Sequence, residues 1–499
     1  MEFSTQEFNI EIIYPELILL ITAMFFMTTS AFRTKHSPRF LITVSLISSL
    51  FSLLLLILTG YGTGYGSMFF NDPIAIFSKA LILISLILSL ILIYEKTKTD
   101  NKSMSSLSSG LIFFSFSAMM AAVSSLEFST IYMGMEAATI PFVAYLFCSL
   151  NQDGTRSYYR FIAFTLLSSS LIIFGLSFLY GLSGSTDIIQ SKINIAITHL
   201  TFETIGVIIA LAVVLILTGL TIKMSLPPFH KWRIKLFSNL PAGHSLIFMG
   251  GITIMLLVIF SRIFLNSLSA FHGPEMSPND WGWLVFLVAV AAMAIPTVSI
   301  FRQETLLKMA GYFSITQVGF VLAGMAAMSV NGLLGASFFL FPFILGLAGL
   351  YGATLFFEKN DISIENLKGL GKKSPLAALI ISTSVLSLSG LPGTAGYMGK
   401  YYIIMAIFEA SEFRLEKDIF IVTAVVGVVS SVVLLIFSLK LIRILFQSAE
   451  SDCEIRKLSP LGILFMTVAV GGILIFGLYP DPILKFAGDI PTSFGFITE

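Results

Sequence analysis

The chain has 499 residues, of which 56% are hydrophobic and only 11% are charged, and its mean hydropathy is +0.92. Soluble domains carry about 25% charged residues, so this composition excludes a soluble globular protein and predicts a polytopic integral membrane protein. The net charge of +1 provides no basic surface for nucleic acid. The two cysteines, Cys148 and Cys453, are too few for a disulfide framework or a cysteine-rich metal site.

Fourteen segments are long and apolar enough to cross a bilayer, which requires about 20 residues per span. They lie near residues 14–32, 40–58, 74–94, 108–126, 128–150, 161–182, 204–237, 241–266, 282–301, 306–329, 332–357, 375–408, 418–446 and 459–478. The connections are short, and no hydrophilic stretch has the length of a separate soluble domain. We therefore predict a single all-α membrane domain over residues 1–499.

The basic residues of the loops predict the orientation, because cytoplasmic loops are enriched in Lys and Arg. With the N-terminus outside, 21 of the 29 Lys and Arg residues lie on the inner side, six lie outside, and the remaining two are Lys223 and Lys400. Arg233 is counted among the inner residues, and Lys79 and Arg262 are counted among the outer ones. This asymmetry predicts a multi-pass protein of the cell (inner) membrane, with both termini on the outer, periplasmic side.

Two predicted spans, 204–237 and 375–408, are interrupted by proline or glycine and also contain a lysine. Lys223 comes just before a Pro-Pro pair, and Lys400 follows the sequence SGLPGTAGYMG. A lysine at membrane depth costs at least a few kcal/mol, so it usually has a function. Backbone breaks at that depth only where protein or a water-filled cavity satisfies its polar groups. These interruptions therefore predict a path for protons or other cations.

The interrupted spans are the seventh and the twelfth, five spans apart. Because five is odd, a five-span unit repeated once has opposite orientations in its two copies, as in the inverted repeats of many transporters. We predict a first repeat of spans 4–8 at 108–266 and a second repeat of spans 9–13 at 282–446. The three N-terminal helices at 14–107 and the C-terminal helix at 459–478 lie outside the repeats.

Glu136 lies about 8 residues into the fifth span, which places it about 12 Å deep. A lone carboxylate at that depth is either protonated or paired with a cation. We expect it to accept a proton or to tune the proton affinity of a buried lysine, since intramembrane acids usually mark ion paths. The alternative is a purely structural ion pair.

Lys223 and Lys400 are candidate proton carriers, because burial disfavours a charged lysine whereas a nearby carboxylate favours it. A lysine between these influences takes up and releases a proton, which an arginine does not do. The alternative is that each side chain extends to the nearer membrane surface. This alternative applies more to Lys223, which lies toward the inner end of its span.

Two histidines near the first interruption are candidate proton relays. His230 follows the Pro-Pro pair, and His244 lies early in the eighth span; either one is equally explained by hydrogen bonds to backbone carbonyls. Arg160 and Lys308 each open a span, which favours a location at the membrane interface. No phosphate-binding loop, catalytic triad or metal site is present in the sequence, so we expect neither catalytic residues nor metal ligands.

Several motifs together resemble the antiporter-like membrane subunits of proton-pumping NADH:quinone oxidoreductase (complex I). The resemblance covers nearly the whole chain, and its most specific motifs are GMEA at 134–137 with a proline at 141, LIIFGLSFLYGLSG at 171–184, KMSLPPFHKW at 223–232, KMAGYFSI at 308–315 and LSLSGLPGTAGYMGK at 386–400. The motif at 171–184 favours the subunit N branch of that family over its sister branches.

This resemblance implies fourteen spans, two inverted five-helix repeats and broken seventh and twelfth helices. It also implies proton translocation along a central polar axis, coupled to quinone reduction elsewhere in the complex. By matched motif, Glu136 corresponds to the fifth-helix glutamate of the family, Lys223 and Lys400 to its seventh- and twelfth-helix lysines, and His230 to its Pro-Phe-His. NADH and quinone would be used by the whole complex, this chain would bind no cofactor, and its partners would be other membrane subunits and the lipid bilayer.

The chain departs from the family pattern at three places. Arg160 occupies the position of the sixth-helix lysine, which leaves a role in tuning Glu136 or Lys223 but no role as a relay. Thr253 occupies the position of the eighth-helix lysine, so the usual connection between the two half-channels is missing unless His244 replaces it. The Pro-Asp that usually follows the tryptophan of the seventh-span motif is Arg-Ile at 233–234.

Two other hypotheses remain open at the level of sequence. The chain is alternatively a subunit of a multisubunit cation/proton antiporter, or of another energy-coupling complex with the same fold. It is also interpretable as a scaffold of the membrane arm that has lost transport, a hypothesis that rests on Thr253. Genes for NADH and quinone subunits beside this gene, rather than genes for small antiporter subunits, would favour the complex I interpretation.

Overall fold

The structure is a computed structural model that describes residues 9–34, 36–64, 68–100, 105–149, 155–201, 205–269, 281–357, 362–412, 417–448, 455–456 and 458–495. Within these ranges, thirteen helices are long and apolar enough to cross a membrane. They correspond to thirteen of the fourteen predicted spans. The fourteenth, at 375–408, is present as two helices separated by a break. The predicted all-α membrane fold is therefore confirmed.

The helices of the first half are α1 (Tyr14–Ala31), α2 (Pro38–Leu58), α3 (Pro73–Asp100), α4 (Ser106–Ser124), α5 (Phe128–Ser149), α6 (Thr155–Ser183), α7 (Ile188–Thr201), α8 (Ile205–Met224), α9 (Lys231–Phe237), α10 (Ala242–Leu246) and α11 (Thr253–Ser261). A two-stranded antiparallel sheet, β1 (Gly62–Gly64) and β2 (Phe69–Asn71), connects α2 to α3.

The helices of the second half are α12 (Gly282–Ser299), α13 (Leu306–Ala326), α14 (Val330–Gly352), α15 (Leu370–Lys373), α16 (Pro375–Ser389), α17 (Ala395–Glu412), α18 (Lys417–Leu445), α19 (Pro460–Leu478) and α20 (Asp481–Gly488). Several long helices begin with a local signal in the sequence. Ser37 and Ser459 each accept a hydrogen bond from the first turn of the helix that follows, and each precedes a proline at the first helical position.

Both interrupted spans end their first helix with a residue in the left-handed region of φ. In the seventh span α8 ends at Met224, Ser225 has φ +59°, and α9 begins only at Lys231. In the twelfth span α16 ends at Ser389, and Gly390 has φ +87°. Glycine adopts this conformation without strain, which explains its position at the end of the helix.

The eighth span is buried along nearly its whole length and is irregular. Between α10 and α11 the chain forms a π-helical segment, Ile247–Ile252, and a second π-helical segment, Arg262–Ser267, follows α11. Such segments widen a helix by one residue and occur frequently at functional sites. Thr253 is the first residue after the first of these segments.

Equivalent helices of the two predicted repeats pack against equivalent partners. Helix α4 packs against α5 as α12 packs against α13, and α6 packs against α8 as α14 packs against α16 and α17. This correspondence supports the proposed repeat of spans 4–8 as spans 9–13. The boundaries at 108–266 and 282–446 remain predictions.

Candidate functional site

The first buried lysine forms an ion pair with the predicted glutamate. Lys223 Nζ lies 2.5 Å from Glu136 Oε1 and 3.0 Å from Ser169 Oγ, and the Ser169 hydroxyl donates a hydrogen bond of 2.7 Å to the same carboxylate oxygen. Lys223 is only 4% exposed, so it does not extend to the membrane surface. The Glu136 side chain is 18% exposed, which places it at the outer surface of the helix bundle.

The close packing of α6 against α8 brings this group together. A Cβ atom on Gly219 would lie 2.5 Å from Ile172 Cγ1, and one on Gly175 would lie 2.4 Å from Ile216 Cγ1, so only glycine permits this approach of the two helices. Lys223 follows Gly219 by one helical turn and therefore reaches α6. The glycines thus determine which residue of α6 the lysine contacts.

The second buried lysine has a different environment. Lys400 Nζ donates a hydrogen bond of 2.7 Å to the carbonyl of Leu388, the residue before the last residue of α16. The same nitrogen lies 4.4 Å from the ring centroid of Phe320 and 5.8 Å from that of Phe339. Lys400 is 3% exposed, and it has no carboxylate partner in the described part of the chain.

Glycines create the space that Lys400 occupies. A Cβ atom on Gly390 would lie 3.0 Å from Lys400 Cδ, and one on Gly399 would lie 2.6 Å from Phe339 Cβ. Gly390 therefore lets the lysine stem pass beside the break, and Gly399 lets α17 pack closely against α14. The glycines of the motif at 386–400 thus hold the lysine between the break and two aromatic rings.

The two predicted histidines are buried, and their contacts differ. The ring of His230 meets that of Tyr312 edge to face at 6.0 Å, and its Nδ1 has no hydrogen-bond partner among the described residues. His244 Nδ1 lies 3.2 Å from the Pro241 carbonyl, and its ring stacks on Tyr145 at 5.1 Å. In the described part of the chain neither histidine forms a hydrogen bond with Lys223 or Glu136, and their roles as relays remain predictions.

The remaining predicted positions are not part of this cluster. Arg160 is exposed near the start of α6, nine residues before Ser169, a separation of about 13 Å along the helix. Lys308 is half-buried in the first turn of α13. Thr253 is fully buried, and its hydroxyl donates to the Phe248 carbonyl five residues earlier, within the π-helical segment.

Arg233 is a functional candidate that was not among the predicted site residues. Counting it among the residues of an inner loop was wrong, because its side chain is fully buried among other helices. One guanidinium nitrogen donates to the Met224 carbonyl at 2.9 Å and another to Ser314 Oγ at 2.8 Å. The departure from the family motif at 233–234 was the signal in the sequence, since it introduced a charge beside a broken helix.

Two further charged pairs are buried, and each contains a basic residue that the orientation count assigned to the outer side. Lys79 Nζ lies 2.6 Å from Glu16 Oε1, and the Arg262 guanidinium donates two hydrogen bonds of 2.6 Å to Asp72. Lys79 and Arg262 were counted on the outer side as if they were loop residues, which was wrong because both side chains are buried. Lys79 was detectable from sequence, because it lies inside the apolar run 74–94 rather than beside it.

The arrangement is that of a membrane protein of the antiporter type, with two broken helices that each hold a buried lysine. Among the described residues, no group of three or more His, Cys, Asp or Glu side chains is placed to hold a metal ion. A family model described as "NADH:quinone oxidoreductase/Mrp antiporter, TM" matches residues 125–433. The chain belongs to this family.

The similar proteins extend this match to nearly the full chain. The NADH-quinone oxidoreductase subunit N of Parvibaculum lavamentivorans is 25% identical over 480 residues, covering 94% of each chain. The F(420)H(2) dehydrogenase subunit N of Methanosarcina mazei is 28% identical over 502 residues, covering 96% of this chain and 98% of that one. A chain of respiratory complex I from Thermus thermophilus superimposes with a TM-score of 0.76 at 19% identity, covering 95% of this chain and 99% of that one.

Proposed function

We propose that this chain is the proton-translocating, antiporter-like subunit N of a complex I-type NADH:quinone oxidoreductase. Relatives named subunit N match it over more than nine-tenths of their length, and the fold is shared with a chain of a respiratory complex I. In this assembly the chain is one subunit of a translocase and has no redox centre of its own. NADH and quinone are handled by other subunits, and both termini lie on the outer side of the membrane.

The observation that carries the proposal is the pair of buried lysines at the two helix breaks. Lys223 is held by Glu136 and Ser169. Lys400 is held by the Leu388 carbonyl at the end of α16 and by two aromatic rings. Buried ionisable groups at broken helices are typical of ion paths, because the break provides polar backbone at membrane depth. A lysine exchanges its proton with water or a neighbouring base, which suits it to carry protons.

The electron donor is not a property of this subunit. Relatives from an NADH-quinone oxidoreductase and from an F(420)H(2) dehydrogenase match it over nearly the same length. We therefore infer that the donor is determined by the hydrophilic subunits that bind it, and that this chain contributes only to the membrane arm.

A second candidate is a subunit of a multisubunit cation/proton antiporter, which the description of the matching family includes. The buried lysines serve such a function equally well. The names of the full-length relatives favour the complex I-type assembly instead. Purification of the chain from its native membrane distinguishes the two, since only the first assembly co-purifies with flavin- and iron–sulfur-containing subunits.

The proposal is tested by Lys400→Met in the assembled complex, reconstituted into liposomes. Proton pumping is expected to fall about tenfold or more, since a positioned proton carrier contributes at least that much to a proton-transfer step. The matched control is Lys485→Met, because Lys485 is exposed on α20 outside the spans. Normal pumping by Lys400→Met and also by Glu136→Gln, in fully assembled complexes, would refute the proposed function.

A further inference from the structure

Arg233 is a buried cation at the point where α8, the eighth span and α13 meet. Its guanidinium donates to the Met224 carbonyl at the end of α8, to Ser314 of α13 and to the sulfur of Met249 in the eighth span. It also lies 5.1 Å from the ring centroid of Phe248. Within the described ranges no carboxylate pairs with it. An unpaired buried charge is strongly unfavourable, and at membrane depth it usually has a function.

Arg233 brings positive charge to the part of the eighth span where the family resemblance expects a lysine. Met249 precedes Thr253 by four residues, approximately one helical turn. Met224, whose carbonyl accepts from Arg233, is the neighbour of Lys223. The guanidinium therefore lies between the end of α8 and the eighth span. Arg233 itself belongs to α9, whereas the lysine that Thr253 replaces belongs to the eighth span.

One ridge of α13 runs from Arg233 to Lys400. Ser314 accepts from Arg233, and the ring of Phe320 faces Lys400 Nζ. Gln317 lies between them, because residues three apart form neighbouring positions on a helix surface. The ridge from Ser314 to Phe320 covers about 9 Å.

Gln317 is the unusual member of this ridge. It is fully buried, and neither its amide oxygen nor its amide nitrogen has a hydrogen-bond partner among the described residues. Most buried polar side chains are hydrogen-bonded to protein or to ordered water. A buried amide with both ends available provides a donor and an acceptor for an ordered water.

Two buried hydroxyl groups, one on α14 and one on α16, also lack a hydrogen-bond partner among the described residues, like the amide of Gln317. Tyr351 is fully buried, and its hydroxyl has no hydrogen-bond partner in the described part of the chain. It is nevertheless close enough to Arg233 to interact with it electrostatically. The buried Ser384 hydroxyl also has no described partner and packs against α14 at Gly349. Ser384 precedes Leu388, which accepts from Lys400, by one turn.

We propose that Arg233 and Gln317 form the central link of the proton path, joining the Glu136–Lys223 pair to Lys400. Gln317 binds ordered water, and Tyr351 and Ser384 extend this water toward Lys400. Each water accepts one proton and releases another, so no net charge remains on the link. Arg233 keeps its proton throughout and acts as a positioning residue, whose fixed charge orients the water and replaces the lysine absent at Thr253. This inference rests on the proposed function.

The variant Gln317→Leu separates stability from proton pumping, because the central link requires the amide whereas the fold does not. Replacing an unpaired buried amide with an apolar group of similar size leaves stability unchanged or increases it. Proton pumping is nevertheless expected to fall about tenfold, the effect of losing about one hydrogen bond to the transferred proton. Thr316→Val is the matched control, because Thr316 is equally buried on α13 but faces Thr297 of α12. Normal pumping by assembled Gln317→Leu would overturn the proposal.

The charge of Arg233 is tested by moving it. Arg233→Gln is expected to lower pumping about tenfold, and Arg233→Lys, which keeps the charge, is expected to retain more activity than Arg233→Gln. Adding Thr253→Lys to Arg233→Gln returns a cation to the eighth span and should restore pumping. A purely structural arginine would not be rescued in this way. Equal pumping by Arg233→Gln with and without Thr253→Lys, at equal assembly, would overturn the role of Arg233.

The outcomes also separate this inference from the proposed function. If Lys400→Met abolishes pumping while Gln317→Leu and Arg233→Gln pump normally, the chain translocates protons but not through the central link. If Lys400→Met and Glu136→Gln both pump normally, the proposed function itself fails. If Arg233→Gln does not assemble, Gln317→Leu, which removes no charge, decides the question alone.

Discussion

The two broken helices contain equivalent lysines but balance their charges by different means. Lys223 is paired with the carboxylate of Glu136 and the hydroxyl of Ser169, which come from two neighbouring helices. Among the described residues, Lys400 contacts the carbonyl of Leu388 and the faces of two phenylalanine rings but no carboxylate. When both lysines are protonated, the first site is therefore an ion pair with no net charge, whereas the second site carries the full positive charge of Lys400.

This difference indicates a division of roles along the path. Removing a proton from Lys223 removes the positive charge of the ion pair and leaves the Glu136 carboxylate without a counter-charge. Removing a proton from Lys400 leaves a neutral amine in apolar surroundings, which needs no further compensation. We infer that the state of the first site depends on its partner, and that the state of the second depends on how water reaches it.

The largest effect on stability is expected from Glu136→Gln. It leaves Lys223 buried without a carboxylate, and removing one partner of a buried pair typically costs about 3 kcal/mol. Lys400 has no such partner among the described residues, so Lys400→Met should leave the free energy of unfolding unchanged or increase it. Denaturant titration of both purified variants measures the contrast. Equal destabilisation by the two changes would show that the sites do not differ in this way.

An intermediate effect is expected from Gly399→Ala beside the second lysine. The added methyl group would lie 2.6 Å from Phe339 Cβ, so α17 must move away from α14 and take Lys400 from its aromatic rings. Overpacking of this kind costs about 2 kcal/mol. Gly471→Ala in α19 is the control, since no atom lies within 4 Å of the position that its added methyl group would take. Thermal unfolding measures both, and a neutral Gly399→Ala would contradict the tight packing.

The smallest effect is expected from Ser169→Ala at the first site. The change removes two hydrogen bonds, but Lys223 and Glu136 still satisfy each other through the ion pair, so the expected loss is about 1.5 kcal/mol. Pumping should decrease less than in Glu136→Gln, because Lys223 retains its carboxylate. If Ser169→Ala abolishes pumping in an assembled complex, the hydroxyl itself carries the proton. The inference that the first site depends mainly on its ion pair would then be wrong.

The sequence predicted the architecture and the two lysines well, because the membrane imposes local constraints. A span needs a certain length of apolar residues, and a lysine inside such a segment is visible without any knowledge of its neighbours. Thirteen helices and the broken twelfth span of the described chain follow the predicted segments. Glu136 was selected for the same reason, as an acid inside an apolar run.

Tertiary structure alone decided which charges meet. Glu136 and Lys223 are 87 residues apart, and Arg233 and Ser314 are 81 residues apart, so no local pattern specifies either contact. Counting Arg233, Lys79 and Arg262 as basic residues outside the spans failed, because a basic residue near the end of a span faces either water or a neighbouring helix. Hydropathy is a property of one segment, whereas burial of a charge depends on how distant segments pack around it.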